Sequence, residues 1–295
     1  MTIGFTGNTG KPGIWEPAAA LIRHLKGRGA EACIVQSLAD GLRERDLLGD
    51  TSCEVQAESD LGRTSGLVVS LGGDGTLLRT AHAIGLDGPP ILGVNVGRLG
   101  FLARAELGEA ERVLDAVLDG ETGVEERMVL DVEVEGAAAA AELYPWALND
   151  LVVDKSGSAS MIQVEAMVDG LHLNTYWADG LILATPTGST AYALSVGGPI
   201  VTPQAEAIVA APIAPHTLTA RPIVLPGSCE IELRVATRDH PYVIAIDGQS
   251  IVVEEDDVVV RVRPSAQRVR LVTLPGGSYF ATVRSKLNWG QSAVF

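Results

Sequence analysis

Val68-Val69-Ser70-Leu71-Gly72-Gly73-Asp74-Gly75-Thr76 carries an apolar run directly into a glycine turn, and a helical pattern follows. The run is apolar on both faces, which is typical of a strand covered by helices on each side. Glycines let the backbone approach a phosphate closely, and the N–H groups that open a helix favour negative charge. This order of strand, turn and helix predicts an α/β domain with an anion-binding turn.

The same alternation extends on both sides of this stretch, from Ile3 to about Gly120. Helical spacing of apolar residues predicts helices over 18–25 and 110–118, and short apolar runs predict strands at 32–35 and 90–94. Strands that alternate with helices pair in parallel.

After about Glu125 the apolar period changes from helical to two, as in Leu130, Val132 and Val134. The dipeptides at 169–170 and 247–248 are Asp-Gly, which favours tight hairpins. The second half is therefore predicted to be antiparallel β.

Composition and charge exclude several classes of protein. A length of 295 residues favours two domains, and the net charge of -15 argues against binding to nucleic acid or anionic lipid. The acidic, lysine-poor bias fits either a salt-adapted host or biased base composition. Cys33, Cys53 and Cys229 form no zinc or redox pair. Residues 1–10 lack a signal-peptide pattern and no apolar stretch could span a membrane, so we predict a soluble, cytoplasmic protein with no membrane partner.

Asp74 is a carboxylate in the middle of the predicted anion-binding turn. It would repel phosphate unless it takes a proton from a hydroxyl nucleophile or binds Mg2+, and a plain Asp-Gly turn is the alternative. Other nucleotide motifs are absent. Pro12 follows Gly10-Lys11 where a P-loop has Ser or Thr, and Leu78 stands where a Rossmann fingerprint has glycine.

The glycine-rich segment 95–102 follows a predicted strand, as the Asp74 turn does. Because ligands bind at the carboxyl ends of strands in open α/β sheets, these two loops are expected to be neighbours. An ordinary strand-to-helix connection is the alternative. Asn149-Asp150 precedes another strand, and its amide and carboxylate can recognise ribose hydroxyls or an exocyclic amine. A simple turn is the alternative there.

The segment 179–192 is the most distinctive in the chain. Its hydroxyl side chains are Thr185, Thr187, Ser189 and Thr190. We interpret them as a run of donors for phosphate or ribose, with Tyr192 able to stack on a base. A Thr/Ser-rich turn of a β domain is the alternative.

Taken in order, these stretches resemble the NAD kinase family, and the resemblance continues through 216–222, 247–249 and 286–290. The glycine turn alone is shared with diacylglycerol and sphingosine kinases and, more distantly, phosphofructokinases. The resemblance implies an N-terminal α/β domain with a parallel sheet, 1–125, joined by the returning tail 276–295. It also implies a C-terminal all-β sandwich that binds NAD, 126–275. The implied reaction moves the γ-phosphoryl group of ATP, or of a donor such as polyphosphate, to NAD, with Mg2+ as cofactor.

By the same resemblance, Asp74 is the general base that deprotonates the adenosine 2′-hydroxyl of NAD. The residues implied to bind NAD are Asp74, Gly75, Asn149, Asp150, Asp179, Thr190, Ala191, Tyr192, Ala193, Leu194, Ser195 and Gln249. Arg79 is a further implied contact, with an exposed helix arginine as the alternative. Ser160 and Trp177 also stand at implied ligand positions, where many relatives carry basic residues. Both departures remove positive charge near the ligand phosphates, so the resemblance leaves open how NADP or NADPH is handled but still implies the reaction class.

The resemblance further implies a homodimer or a homotetramer. Two other functions stay open at this point. A lipid kinase would share only the glycine turn and would need a membrane-facing surface, against which the net charge speaks. A catalytically silent nucleotide-binding regulator would keep the fold, although Asp74 is intact.

Overall fold

The computed structural model describes residues 1–49, 51, 53–97, 100–103, 105–157, 160–237, 240–274 and 276–290. The chain divides into two compact units. The first consists of Met1–Glu126 and the described part of Val269–Phe295, and the second of Arg127–Arg268. No helix among the described residues is long and apolar enough to cross a membrane.

Strands and helices alternate in the first part of the chain. They are β1 (Thr2–Gly7), α1 (Trp15–Gly27), β2 (Glu31–Val35), α2 (Gln36–Glu44), β3 (Glu54–Gln56), α3 (Glu58–Thr64), β4 (Leu67–Gly72), α4 (Asp74–Ile84), β5 (Ile91–Asn95), β6 (Ala105–Glu106) and α5 (Ala110–Leu118). The helices and strands predicted from apolar spacing are confirmed. The elements α2, β3 and α3 escaped prediction because they carry few apolar residues: Leu38, Ala39 and Leu42 in α2, and Leu61 in α3.

The remaining elements are mostly strands. They are β7 (Gly123–Glu135), β8 (Trp146–Ala147), β9 (Asp150–Lys155), β10 (Ile162–Val168), β11 (Leu171–Ala178), β12 (Gly180–Ala184), α6 (Tyr192–Ser195), β13 (Ala207–Ile213), β14 (Ile223–Pro226), β15 (Ile231–Ala236), β16 (Tyr242–Ile246), β17 (Gln249–Val253), β18 (Val259–Thr273) and α7 (Tyr279–Leu287). The division into units falls after Glu126, inside β7, and after Arg268, inside β18.

The sheet of the first unit is parallel, in the order β3-β2-β1-β4-β5. Every residue of β4 is buried, as predicted for a strand covered on both faces. The strand order reverses between β1 and β4, and ligands of open α/β sheets bind at such a switch point, outside the carboxyl ends of the strands. The loops after Gly7 and Gly72 flank that point.

The second unit is an antiparallel β-sandwich, which confirms the predicted fold class. One sheet has the order β11-β10-β15-β18 and the other β14-β13-β12-β9-β16-β17. Aliphatic side chains from both sheets, such as Val164 and Leu181, share one buried cluster. The second sheet is also covered on its other face, where Ile182 and Val209 pack with Ala193 of α6. The segment around α6 is thereby fixed against the sheet.

The predicted Asp-Gly hairpins are both present. Val168 pairs with Leu171, and Ile246 pairs with Gln249, so each turn has two central residues. Both central residues have positive φ, 49° and 75° at 169–170 and 48° and 86° at 247–248. This is the type I′ geometry that Asp-Gly favours.

Candidate functional site

Asp74 is the first residue of α4, immediately after the buried strand β4. Its side chain is half-buried, and both carboxylate oxygens accept hydrogen bonds from main-chain N–H groups. Phe101 donates to Oδ2 at 2.8 Å, and Leu102 and Ala103 each donate to Oδ1 at 3.0 Å. These three consecutive donors fix the orientation of the carboxylate at the switch point of the sheet.

The loop after β5 is therefore a neighbour of the Asp74 turn, as predicted. Val96 N also donates to the Gly72 carbonyl at 2.7 Å. Gly100 is required for this approach, because a Cβ atom there would collide with the Asp74 carboxylate. Arg98 and Leu99, which belong to the predicted segment, lie outside the described residues.

Lys11 is a residue of this region that the sequence argument discarded. It is no P-loop lysine, yet its Nζ donates to the Val96 carbonyl at 3.1 Å, and a Cβ placed on Gly73 would lie 3.6 Å from that Nζ. A half-buried ammonium group thus stands beside the glycine turn. Its signal in the sequence was its place after β1, which ends at the switch point.

Gly75 and Arg79, two further predicted contacts, are both exposed on α4. A Cβ on Gly75 would meet nothing within 4 Å, so its backbone is open to a ligand. The first turn of a helix generally favours anions, because its main-chain N–H groups point toward the helix N-terminus.

Asn149 and Asp150 lie where β9 begins, and a carboxylate from another part of the sandwich holds their backbone. Asp247 accepts hydrogen bonds from the N–H groups of Leu148 at 2.7 Å, Asn149 at 2.8 Å and Asp150 at 3.1 Å. Asn149 is half-buried, whereas Asp150 is buried with 7% of its surface exposed. The backbone position of this pair is fixed by tertiary contacts.

Burial and, to a smaller extent, the nearby Asp247 carboxylate raise the pKa of the Asp150 carboxyl group to about 7, although the Tyr192 N–H donates to Asp150 and acts in the opposite direction. Desolvation disfavours the charged form of a carboxyl group, so this residue titrates near neutral pH. Groups with such displaced pKa values concentrate at functional sites.

Asp179, Asp154 and Tyr192 extend this group of side chains. Lys155 Nζ lies 2.8 Å from Asp179 Oδ1. The pKa of Asp154 is raised by burial and by the Asp179 carboxylate. The pKa of the Tyr192 phenol is raised by burial and by the carboxylates of Asp154, Asp150 and Asp179. The structure thus brings three predicted residues, 150, 179 and 192, together with two that the sequence argument missed, 154 and 155.

The predicted run of hydroxyl donors needs correction. Thr185, Thr187 and Ser189 are buried and bonded within the fold. Thr185 Oγ1 donates to the Leu148 carbonyl at 2.5 Å, and Ser189 Oγ donates to the Pro186 carbonyl at 2.7 Å. A buried hydroxyl needs such a partner, so these groups shape the turn and are not presented to a ligand.

Buried Arg127 supports the same turn, because its Nη1 donates to Thr187 Oγ1 at 3.2 Å. Only glycine fits at position 188, because a Cβ atom there would collide with the Asn149 carbonyl. The 185–189 turn therefore packs directly on the backbone of the Asn149-Asp150 pair.

The other predicted ligand residues lie as follows. Thr190 and Ala191 are half-buried, Ala193 is buried, Leu194 is half-buried and Ser195 is exposed, all at or in α6. Tyr192 has 41% of its surface exposed, which leaves a ring face for stacking. Gln249 begins β17, and its buried Oε1 accepts no hydrogen bond from the described residues.

Ser160 and Trp177 are exposed, Ser160 before β10 and Trp177 on β11. Trp177 pairs with Gln163 in the sheet, and its carbonyl accepts a hydrogen bond from His216 N at 2.8 Å. These two contacts of Trp177 do not involve the group around Asp150.

No group of three or more His, Cys, Asp or Glu side chains among the described residues could hold a metal ion. Mg2+ is usually held by one or two carboxylates together with substrate phosphates rather than by an all-protein cage. The described side chains do not fit such a cage.

A carboxylate in a glycine turn at the switch point of a parallel sheet, with an ammonium group near the same turn, fits a phosphotransferase that activates a hydroxyl group. Comparisons with known proteins specify the family. Residues 3–122 match the family model of the ATP-NAD kinase N-terminal domain, and residues 148–274 match that of the ATP-NAD kinase C-terminal domain. The chain belongs to the NAD kinase family.

Individual relatives agree with this assignment. The NAD kinase of Bacteroides fragilis is 39% identical over 99% of this chain and 99% of its own. Yeast NADH kinase, solved in complex with NADH, is 25% identical with a TM-score of 0.90, covering 99% of this chain and 89% of its own. An NAD kinase from Archaeoglobus fulgidus, solved in complex with ATP, is 26% identical with a TM-score of 0.76, covering 98% and 99%.

Proposed function

We propose that this protein is a NAD kinase, which transfers the γ-phosphoryl group of ATP to the adenosine 2′-hydroxyl of NAD and releases NADP and ADP. The observation that carries the proposal is the family match over both units, with Asp74 intact and oriented at the switch point. Nothing in the fold or the comparisons favours the lipid kinase or the silent regulator.

Asp74 is the general base of the proposed mechanism. Its carboxylate takes the proton of the 2′-hydroxyl as that oxygen forms a bond to the γ-phosphorus and the bond to the leaving oxygen of ADP breaks. The three main-chain donors hold the carboxylate in one orientation, so little reorganisation is needed at the moment of transfer.

We propose that two features of the first unit stabilise the negative charge of the ATP phosphates. The N–H groups at the start of α4 favour anions, and Lys11 adds a positive charge beside Gly73. Local charges of this kind are needed because the net charge of the chain, -15, disfavours a polyanionic ligand.

The groups around Asp150 are proposed to recognise the nucleoside parts of NAD. Carboxylates accept hydrogen bonds only, so Asp150 and Asp179 select ligand groups that donate, such as ribose hydroxyls and an exocyclic amine. Asn149 adds an amide, Gln249 has a buried acceptor, and the exposed ring of Tyr192 stacks on a base.

ATP is the proposed donor, and NAD the proposed acceptor. The relative from Archaeoglobus was solved with ATP and the yeast relative with NADH, so NADH should be tested as a second acceptor. Mg2+, a homodimer or homotetramer, and a cytoplasmic location stay predictions from the sequence.

The test is a two-stage assay with the purified full-length chain. It is incubated with NAD, Mg2+ and either ATP or polyphosphate, and the NADP formed is measured with an NADP-specific dehydrogenase. ATP-dependent formation of NADP whose rate falls by about 10² to 10⁴-fold with Asp74→Asn supports the proposal. A chain that binds NAD but makes no NADP with any donor would favour the silent regulator, and phosphorylation of diacylglycerol would favour the lipid kinase.

A further inference from the structure

Asp247 makes contacts that its place in the sequence does not explain. In a hairpin turn an aspartate is ordinarily chosen because it tolerates positive φ, and its side chain faces water. Here both carboxylate oxygens reach across to β9, where Oδ2 accepts Leu148 N and Oδ1 accepts Asn149 N and Asp150 N, at 2.7–3.1 Å. In addition, Asp247 N donates to the Asp150 carbonyl at 3.0 Å.

The other Asp-Gly hairpin shows what the turn alone requires. Asp169 has nearly the same φ as Asp247, 49° against 48°, and is followed by a glycine with positive φ in the same way. The hydrogen bond described for its carboxylate comes from Glu230 N, at 2.9 Å, in an exposed setting. Three donors to one carboxylate are thus a feature of Asp247 and not of the type I′ turn.

Two of the three N–H groups belong to Asn149 and Asp150, which carry the proposed recognition groups, and the third belongs to Leu148 directly before them. The backbone here is further constrained from the other side, because Thr185 N donates to the Asn149 carbonyl at 2.8 Å and Thr185 Oγ1 to the Leu148 carbonyl at 2.5 Å. Hydrogen bonds to a carboxylate are stronger than those between neutral groups, so the contacts of Asp247 help to hold the backbone of 148–150 in place.

We propose that Asp247 is a positioning residue for NAD binding: its carboxylate fixes the backbone of Leu148, Asn149 and Asp150 and so aims the side chains of Asn149 and Asp150 at the nucleotide. This inference rests on the proposed function, through the assignment of those two side chains to NAD. Asp247 itself acts through them and contacts no reacting atom.

A second consequence is electrostatic. The Asp150 carboxyl group is faced by the Asp247 carboxylate and the Tyr192 N–H, and Asp154, Lys155 and Asp179 stand nearby in the same group. Removing the charge of Asp247 removes one cause of the raised pKa of Asp150, so the carboxylate form of Asp150 persists to lower pH. A variant of Asp247 should therefore move the pH profile of NAD binding as well as its strength.

The variants are Asp247→Asn and Asp247→Gly, with Asp169→Asn and Asp169→Gly as matched controls. Asn and Gly both suit the first central position of a type I′ turn, so the hairpin is preserved and only the carboxylate is lost. We expect both Asp247 variants to raise the KM for NAD by about tenfold and to leave the KM for ATP unchanged. The acidic limb of kcat/KM for NAD should shift to lower pH, and both Asp169 controls should match wild type.

Hydrogen exchange of the amides of 148–150 in the ligand-free chain supplies a measurement that is independent of activity. These amides should exchange at least about tenfold faster in Asp247→Gly than in wild type or Asp169→Gly. Faster exchange with unchanged NAD kinetics would overturn the positioning role. Unchanged exchange would show that the Asp247 carboxylate does not hold the backbone of 148–150. If wild type makes no NADP, the proposed function fails, while the exchange result still decides whether Asp247 holds this backbone.

Discussion

Asp74 in the first unit and Asp247 in the second use their carboxylates in the same way and for different ends. Each accepts hydrogen bonds from three consecutive main-chain N–H groups, 101–103 for Asp74 and 148–150 for Asp247. Asp74 begins a helix beside Lys11 and bare glycines, so the carboxylate is itself the proposed reactive group. Asp247 lies in a hairpin, and the proposed ligand groups are the side chains of Asn149 and Asp150, whose backbone it holds. The hydrogen-bond pattern alone therefore does not identify a catalytic residue.

The largest expected effect is on kcat, and it distinguishes Asp74, which acts in the chemical step, from Asp247, which acts in NAD binding. Asp74→Asn should lower kcat by about 10² to 10⁴-fold with little change in the KM for NAD, because a general base is lost. Asp247→Asn should instead act on the KM for NAD. Steady-state kinetics of both variants, with melting temperatures as a check on folding, makes the comparison. Near-normal turnover of Asp74→Asn would remove the distinction.

The hydrogen bonds that orient the Asp74 carboxylate can be disturbed by a substitution elsewhere, without changing Asp74 itself. Gly100→Ala places a Cβ against Asp74, so either the carboxylate or the loop must move. We expect kcat to fall by about tenfold to hundredfold, because small displacements at a reacting group are costly. Overpacking should also lower stability by about 1–3 kcal/mol. Gly108→Ala is the matched control, since a Cβ there meets nothing within 4 Å. Equal kinetics of the two variants would show that the position of Asp74 is not critical.

A variant of Lys11 tests whether the first unit binds the phosphates of ATP, as the position of Lys11 beside the glycine turn suggests. Lys11→Met keeps the length of the side chain but removes the charge, and should raise the KM for ATP by about tenfold with the KM for NAD unchanged. Lys26→Met, at the exposed end of α1, controls for the loss of one positive charge. A rise in the KM for NAD alone would show that Lys11 does not interact with the phosphates of ATP.

The smallest effect is the pH dependence of Asp150. Its folded pKa, about 7, lies above its ordinary value, so the native state binds the extra proton between about pH 4 and 7 and this contribution to stability is lost as the pH rises through 7. NAD needs the ionised acceptor, so the KM for NAD should rise as the pH falls below 7. Asp150→Asn should flatten that profile, weaken NAD binding and raise the melting temperature at pH 8. A wild-type KM that is independent of pH from 5.5 to 8 would contradict this assignment.

Local patterns in the sequence were sufficient for much of the fold. The glycine turn after an apolar run predicted β4 and α4, and the period-two alternation with Asp-Gly pairs predicted the antiparallel half and its hairpins. Elements such as α2 and α3 were missed because their few apolar residues, Leu38, Ala39 and Leu42 in α2 and Leu61 in α3, give a weak periodic signal. The hydroxyl residues of 185–189 were misjudged, because polarity in a sequence does not reveal whether a side chain faces a ligand or the interior.

The sequence by itself determined the class of each half, the family and the turn in which Asp74 lies, because these depend on spacing over a few residues. Only the tertiary structure decided which groups meet: Asp74 with 101–103, Lys11 with Val96, and Asp247 with 148–150. Each of these contacts joins segments that are distant in the chain, through backbone atoms that every residue possesses, so no residue type marks them. Their geometry is set by strand order and turn shape rather than by composition.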